Sequence, residues 1–128
     1  MLVHIIALLF DKFVPFTIIQ VLVPFASSYK PVVLLGMHVG TLWVALGVIA
    51  FYAVAIVVIT SLVWIEKKPY TWKLLHLLAY LIAVFVFFHS LFIGTDLAGG
   101  LLRLLWIVSG IGLLAVTFIR IRRAGTLR

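Results

Sequence analysis

Three long apolar segments dominate the chain, and polar residues are confined to the short stretches between them. The segments lie at 32–65, 74–93 and 100–119, and each supplies the roughly 20 apolar residues that a helix needs to cross a bilayer. The connectors 66–73 and 94–100 are short, and short connectors make neighbouring helices antiparallel. The pattern therefore predicts an all-α integral membrane protein, an antiparallel helical bundle with three full spans.

The first apolar segment is longer than one crossing requires. We expect residues from about 43 to 64 to form the span, and residues 31–41 to lie at the interface or partly within the protein. The helical pattern of the third span ends in a basic tail at 120–128. The sequence contains no second domain, so residues 1–128 are predicted to form a single transmembrane domain.

Two further apolar stretches precede the spans. Residues 1–10 predict a half-length helix of about 15 Å that ends at Asp11 and Lys12. This helix either lies along the interface, is sheltered by another subunit, or continues into upstream residues beyond the given sequence, and we favour the third interpretation. Residues 13–30 contain helix-breaking prolines and predict an interfacial segment on the outer face, packed over the bundle.

Composition and charge add an orientation. Only 10% of the residues are charged, against about 25% in a typical soluble domain. Of ten basic residues, three lysines lie in the 66–73 connector and four arginines in the 120–128 tail. Basic residues favour the cytoplasmic side, so we expect both regions to be cytoplasmic in a prokaryotic cytoplasmic membrane. Because the basic residues occur only at the ends of apolar segments, the charge does not indicate nucleic-acid binding.

Several kinds of chemistry are excluded by composition. The chain has no cysteine, which excludes disulfides, iron–sulfur ligation and thiol catalysis. Its three acidic residues, Asp11, Glu66 and Asp96, are too scattered for a carboxylate metal site. No glycine fingerprint for a flavin or nicotinamide is present.

Two histidines, His76 and His89, lie thirteen residues apart in one apolar segment. Ionisable groups at membrane depth are costly and usually face a partner or a cofactor, and neutral imidazole is a common axial ligand of haem iron. Thirteen residues of helix span roughly 20 Å but leave the two side chains about 140° apart. The spacing therefore supports one haem near each membrane face. It gives less support to two side chains on the same face of the helix.

His4 is the predicted partner of His89. It lies seven residues before Asp11, about 10 Å below the outer surface, and His89 lies at a similar depth, five residues before Gly94. The two histidines can therefore hold one haem between them, whereas the sequence offers His76 no counterpart.

The other polar candidates lie near the two membrane faces. His38 is either an additional ligand, a quinone contact or an ordinary interfacial histidine. Arg120 and Arg122 can pair with haem propionates or with lipid phosphates.

Several segments of the chain resemble the ferric reductase-like transmembrane domain family. That family includes ferric reductases, NADPH oxidases and the haem subunit of bacterial methionine sulfoxide reductase systems. The segments that carry the resemblance are Val14–Phe16, Val23–Pro31, Gly47–Tyr52, Thr60–Ser61, Trp72–Tyr80 and His89–Asp96.

The resemblance implies that two helices with two histidines each clamp two b-type haems. By position, His76 and His89 are the pair of the second helix, and His4 is the outer histidine of the first. The inner histidine of the first helix, the helices before it, and the flavin and NADPH domains have no counterpart in this sequence. We therefore expect one or two b-type haems and no flavin site.

Three functions follow as hypotheses. The first is transmembrane electron transfer as the haem-bearing subunit of an oxidoreductase, among other membrane subunits and lipid. A flavoprotein or a quinol would supply the electrons, and Lys67, Lys68 and Lys73 would dock an acidic donor. The second is a non-catalytic accessory subunit that has lost haem. The third is a quinone-binding anchor that uses His38 and Asp11.

Overall fold

The structure, a computed structural model, describes residues 2–12, 16–30 and 32–126, with side chains as far as Arg123. The predictions that concern Met1, 13–15, Pro31 and 127–128, including the basic residue Arg128, fall outside the described residues. Most of the described chain is helical. Its helices are α1 (Leu2–Leu9), α2 (Ile18–Leu22), α3 (Gly40–Trp64), α4 (Pro69–His76), α5 (Leu78–Ile93) and α6 (Gly100–Thr126), with a 3₁₀ turn at Thr95–Leu97.

Three segments of the described chain are long and apolar enough to cross a membrane. They are Gly40–Trp64, Pro69–Ile93 and Gly100–Arg123. At 1.5 Å per residue each is about 36 Å long, which exceeds the roughly 30 Å hydrocarbon core. The prediction of three apolar helical segments long enough to span a membrane is confirmed, although the second begins at Pro69 rather than at about residue 74.

The second of these segments is interrupted at Leu77. It begins with α4 at Pro69, where proline suits the first helical turn. The amide of Leu77 donates to the carbonyl of Leu74 at 3.2 Å, and the amide of Tyr80 donates to the carbonyl of Leu77 at 3.1 Å. These i to i+3 bonds tighten the chain locally, so the span contains a single tight turn at Leu77 between α4 and α5, with His76 at the end of α4.

A short β-hairpin precedes α3. Strand β1 (Val33–Leu34) pairs antiparallel with β2 (Met37–His38). Two-residue strands are too short to produce an alternating sequence pattern, so they were not predicted. The hairpin lies within the 31–41 region that was expected at the interface or partly within the protein, and residues 33–38 are all exposed.

Most of the buried residues of the described chain lie on α3, which packs against α5. Ala45 and Ala50 are fully buried, and Val44 and Val48 are nearly so. Small residues let membrane helices approach closely. Across this contact Trp43 stacks on Phe92, with the ring centroids 4.2 Å apart.

By contrast, α6 has only limited contact with the rest of the described chain. The Trp106 ring stacks on that of Phe87 in α5 at 5.9 Å, and a Cβ at Gly110 would collide with the same Phe87 ring. None of the described side chains of α6 is buried. Most of its surface therefore faces the surroundings of the chain rather than its interior.

The segment 16–30 lies along α3. A capping box formed by Thr17 and Gln20 starts α2. The Tyr52 hydroxyl donates to the Leu22 carbonyl at 2.8 Å, and the Thr41 hydroxyl donates to the Ser27 carbonyl at 3.0 Å. Because Tyr52 and Thr41 are three turns apart on α3, the segment extends well along the helix rather than only across its end.

The Tyr52 hydroxyl gives a test of this packing. We expect Tyr52→Phe to lower the free energy of unfolding by about 1 kcal/mol, since it removes one hydrogen bond and keeps the ring. The measurement is thermal or denaturant unfolding in a mild detergent. Tyr80→Phe is the matched control, because the Tyr80 hydroxyl makes no hydrogen bond within the described residues. Equal stability of the two variants would contradict a stabilising hydrogen bond between Tyr52 of α3 and Leu22 of α2.

Candidate functional site

His89 is held by the backbone of α3. Its Nδ1 lies 2.8 Å from the carbonyl oxygen of Trp43. A carbonyl oxygen can only accept, so Nδ1 carries a proton, and in the neutral tautomer this leaves the Nε2 lone pair for a metal. A hydrogen bond of this kind fixes the tautomer and ring orientation of histidines that bind metals.

Gly47 lies directly beneath the imidazole ring of His89. It follows Trp43 by one helical turn, and a Cβ built on it would lie 2.5 Å from both Nδ1 and Cε1 of His89. The imidazole therefore lies directly against the backbone of α3, where only a glycine leaves room. Trp43 and Gly47 were not predicted as site residues. The signal that could have found Gly47 is a glycine inside an otherwise β-branched and alanine-rich span.

His4 faces the same place from α1. Its ring centroid lies 6.4 Å from that of His89, and the two ring planes are nearly perpendicular at 89°. Two iron–nitrogen bonds of about 2 Å each, with the half-width of each imidazole added, would place the centroids about 6 Å apart. A direct edge-to-face contact between two rings gives the same range of separation. The separation therefore fits both an iron between the rings and a plain ring contact.

An aromatic cluster lies beside this histidine pair. Trp43 stacks on Phe92 and lies 6.2 Å from Phe88, and Phe88 and Phe92 are 6.3 Å apart. The indole Nε1 of Trp43 is buried and has no hydrogen-bond partner within the described residues. The surroundings of His89 on this side are thus apolar.

His76 is not part of this pair. It is exposed at the end of α4, where its ring packs on Trp72 at 5.0 Å. The Trp72 indole in turn donates to the Ser61 hydroxyl of α3 at 2.9 Å. Among the described residues, Trp72 is the only aromatic ring in contact with the imidazole of His76.

His38 and the two arginines also lie apart from the pair. His38 is exposed on the hairpin, and its Nδ1 donates to the Lys30 carbonyl at 3.0 Å. Arg120 and Arg122 are exposed near the end of α6, with the Arg122 guanidinium 5.3 Å from the centre of the Phe118 ring. The structure brings together two of the predicted ligands, His4 and His89, and not the others.

A cavity of about 240 Å³ lies on another side of α5. Its lining comes from α5 and α6 and includes Phe87, Trp106, Ser109 and Gly110. None of the four histidines lines it. The histidine pair therefore stands apart from this cavity, and its chemistry rests on the two imidazoles.

Comparison with protein-family models, with curated proteins and with solved structures found no match. The resemblance to ferric reductase-like transmembrane domains therefore stays a prediction from the sequence. The function has to be inferred from the histidine pair itself.

Proposed function

We propose that this chain is the haem-bearing membrane subunit of an electron-transfer complex, with His4 and His89 as the two axial ligands of one b-type haem. The observation that carries the proposal is the His4–His89 pair, with ring centroids 6.4 Å apart. The hydrogen bond from His89 to the Trp43 carbonyl adds to it, because it leaves Nε2 free to bind a metal. The resemblance seen in the sequence points to the same two residues.

A haem held by two histidines would supply a one-electron carrier that cycles between ferric and ferrous iron. The residues of this chain would bind it and tune it. Trp43 and Gly47 orient His89, and the aromatic cluster of Trp43, Phe88 and Phe92 keeps water away from that side.

The lysines of the connector would serve the donor side. Lys67, Lys68 and Lys73 are exposed, and exposed cations speed the encounter with an acidic partner. A flavoprotein or a quinol would then supply the electrons. In this arrangement the three spans are antiparallel in a prokaryotic cytoplasmic membrane, with the 66–73 connector and the C-terminus cytoplasmic.

We assign His76 no ligand role within a single chain. Its ring packs on Trp72 at the end of α4, and no second histidine among the described residues approaches it. A second haem at His76 would need a ligand from another subunit. The proposal is therefore one haem for each chain.

The test is a reduced-minus-oxidised spectrum of the purified protein in detergent, with haem measured per chain. We expect a b-type spectrum in the wild type, its loss in His4→Ala and His89→Ala, and its retention in His76→Ala. His76→Ala is the matched control, because it removes an imidazole from the same apolar segment.

Two results would overturn the proposal. A wild-type protein without haem, purified from cells supplied with a haem precursor, would favour the accessory-subunit hypothesis. A spectrum that survives both His4→Ala and His89→Ala would place the haem elsewhere. No observation on the structure favours the quinone anchor over the other two functions.

A further inference from the structure

The hairpin that precedes α3 has an unusual turn. Leu35 and Gly36 have φ values of 51° and 81°, both in the left-handed region. Two such residues in a two-residue hairpin loop form a turn that normally takes Asn-Gly or Asp-Gly. A leucine is strained in this conformation, because its Cβ approaches the following carbonyl oxygen. Polar residues suit this turn at a water-exposed site, so the presence of a leucine at position 35 requires an explanation.

Contacts within the protein do not explain the leucine at position 35. Leu35 is 91% exposed, the highest value among the large apolar side chains that the structure describes. The turn thus places a bulky apolar side chain at the tip of a hairpin, in strained backbone, and away from the rest of the chain. A strained residue that breaks a local rule usually indicates function.

The apolar surface continues along both faces of the hairpin. Leu34 and Met37 pair across the strands, as do Val33 and His38. Consecutive residues of a strand point to opposite faces, so Leu34 with Met37 occupies one face and Val33 the other. All three are about half exposed or more. A protein partner would cover one face, whereas lipid surrounds both.

The position of the hairpin agrees with a lipid environment. Only Val39 separates β2 from the first residue of α3, so the hairpin lies at one end of a membrane span. The amide of Val39 donates to the Val32 carbonyl at 2.9 Å and closes the base. The exposed Lys30 near the base suits a lipid phosphate.

The depth follows from the backbone. A two-stranded hairpin leaves the outer edge of each strand without partners, and such groups are not tolerated in the hydrocarbon core. They can be hydrated where lipid headgroups meet acyl chains, about 5–10 Å into the membrane. The hairpin therefore suits this boundary and not the bilayer centre.

We propose that residues 33–38 are a lipid anchor, with Leu35 at its tip and Leu34 and Met37 beside it. It inserts into the headgroup–acyl boundary of the leaflet at the N-terminal end of α3. This proposal does not depend on the proposed haem.

The chain contains no cysteine, so single cysteine variants can be labelled without background. Leu35→Cys carries a nitroxide in the full chain, reconstituted in vesicles of phosphatidylcholine and phosphatidylglycerol. Lys68→Cys, at an exposed residue between α3 and α4, is the aqueous control. Electron paramagnetic resonance then gives accessibility to oxygen, which concentrates in lipid, and to a water-soluble nickel chelate.

We expect the ratio of oxygen to nickel accessibility at position 35 to exceed that at position 68 severalfold. A label at 35 that is as accessible to nickel as the label at 68 would overturn the anchor. A label at 35 that is shielded from both reagents would also overturn it, and would indicate a protein partner or a second copy of the chain.

A second variant guards against a disturbed turn. With the nitroxide at Met37→Cys, Leu35→Asn keeps a residue that suits the left-handed turn but removes the apolar tip. We expect the nickel accessibility at position 37 to rise severalfold in this variant. No change would overturn the role of Leu35.

Discussion

Replacing Gly47 with alanine should destabilise the protein by about 1–3 kcal/mol and lower its haem content. The new Cβ would lie 2.5 Å from Nδ1 and Cε1 of His89, and an added methyl group in a well-packed contact carries a cost of this size. The imidazole cannot move aside without losing the hydrogen bond from its Nδ1 to the Trp43 carbonyl, which lies on α3 one turn before Gly47. Either α3 and α5 separate or His89 turns away.

The measurements are thermal unfolding in detergent and haem per chain. Gly112→Ala in α6 is the matched control, because a Cβ there meets nothing within 4 Å. Alanine is intrinsically better than glycine in a helix by up to about 1 kcal/mol. The control should therefore be neutral or slightly stabilised. If Gly47→Ala has the same stability and haem content as Gly112→Ala, the close contact between His89 and the α3 backbone is wrong.

A second substitution with a large expected effect is Gly40→Ala, at the first residue of α3. A Cβ at this buried position would collide with the carbonyl oxygen of Tyr29. Main-chain atoms cannot rotate away as a side-chain tip can. Tyr29 is itself fixed, since its amide donates to the Ser27 hydroxyl, and the Ser27 carbonyl accepts from Thr41.

We expect this variant to lose about 1–3 kcal/mol and to release the segment 26–30 from α3. Hydrogen exchange of the amides in 26–39 should accelerate, while exchange in the middle of α5 should stay slow. Gly99→Ala serves as the comparison, because a methyl group added at Gly99 would have no atom within 4 Å. Unchanged exchange in 26–39 would show that the segment does not depend on Gly40.

The spans could be predicted because their cause is local. About 20 apolar residues in succession are enough to identify a candidate crossing, and each predicted span corresponds to an apolar helical segment of sufficient length. The proximity of His4 and His89 also followed from simple counting, since each lies a similar number of residues from a polar end. Counting residues from a polar end gives the position of a side chain along its helix, and this position was enough to pair His4 with His89.

Other features depend on contacts between segments, which a linear pattern does not contain. The tight turn at Leu77 interrupts a largely apolar run that includes no proline or glycine. The estimate of 140° between His76 and His89 assumed an ideal helix through this point. The role of Gly47 became visible only when α5 placed an imidazole on it.

The acceptor that orients His89 belongs to the main chain of residue 43. Every substitution at this position keeps a carbonyl group, so no single codon change can delete the acceptor as it could delete a carboxylate. Apart from a change of His89 itself, a substitution can weaken this hydrogen bond only by changing how closely α3 and α5 pack. The residues whose size sets this spacing, Gly47 first among them, are therefore the positions through which a substitution outside the pair can break the bond.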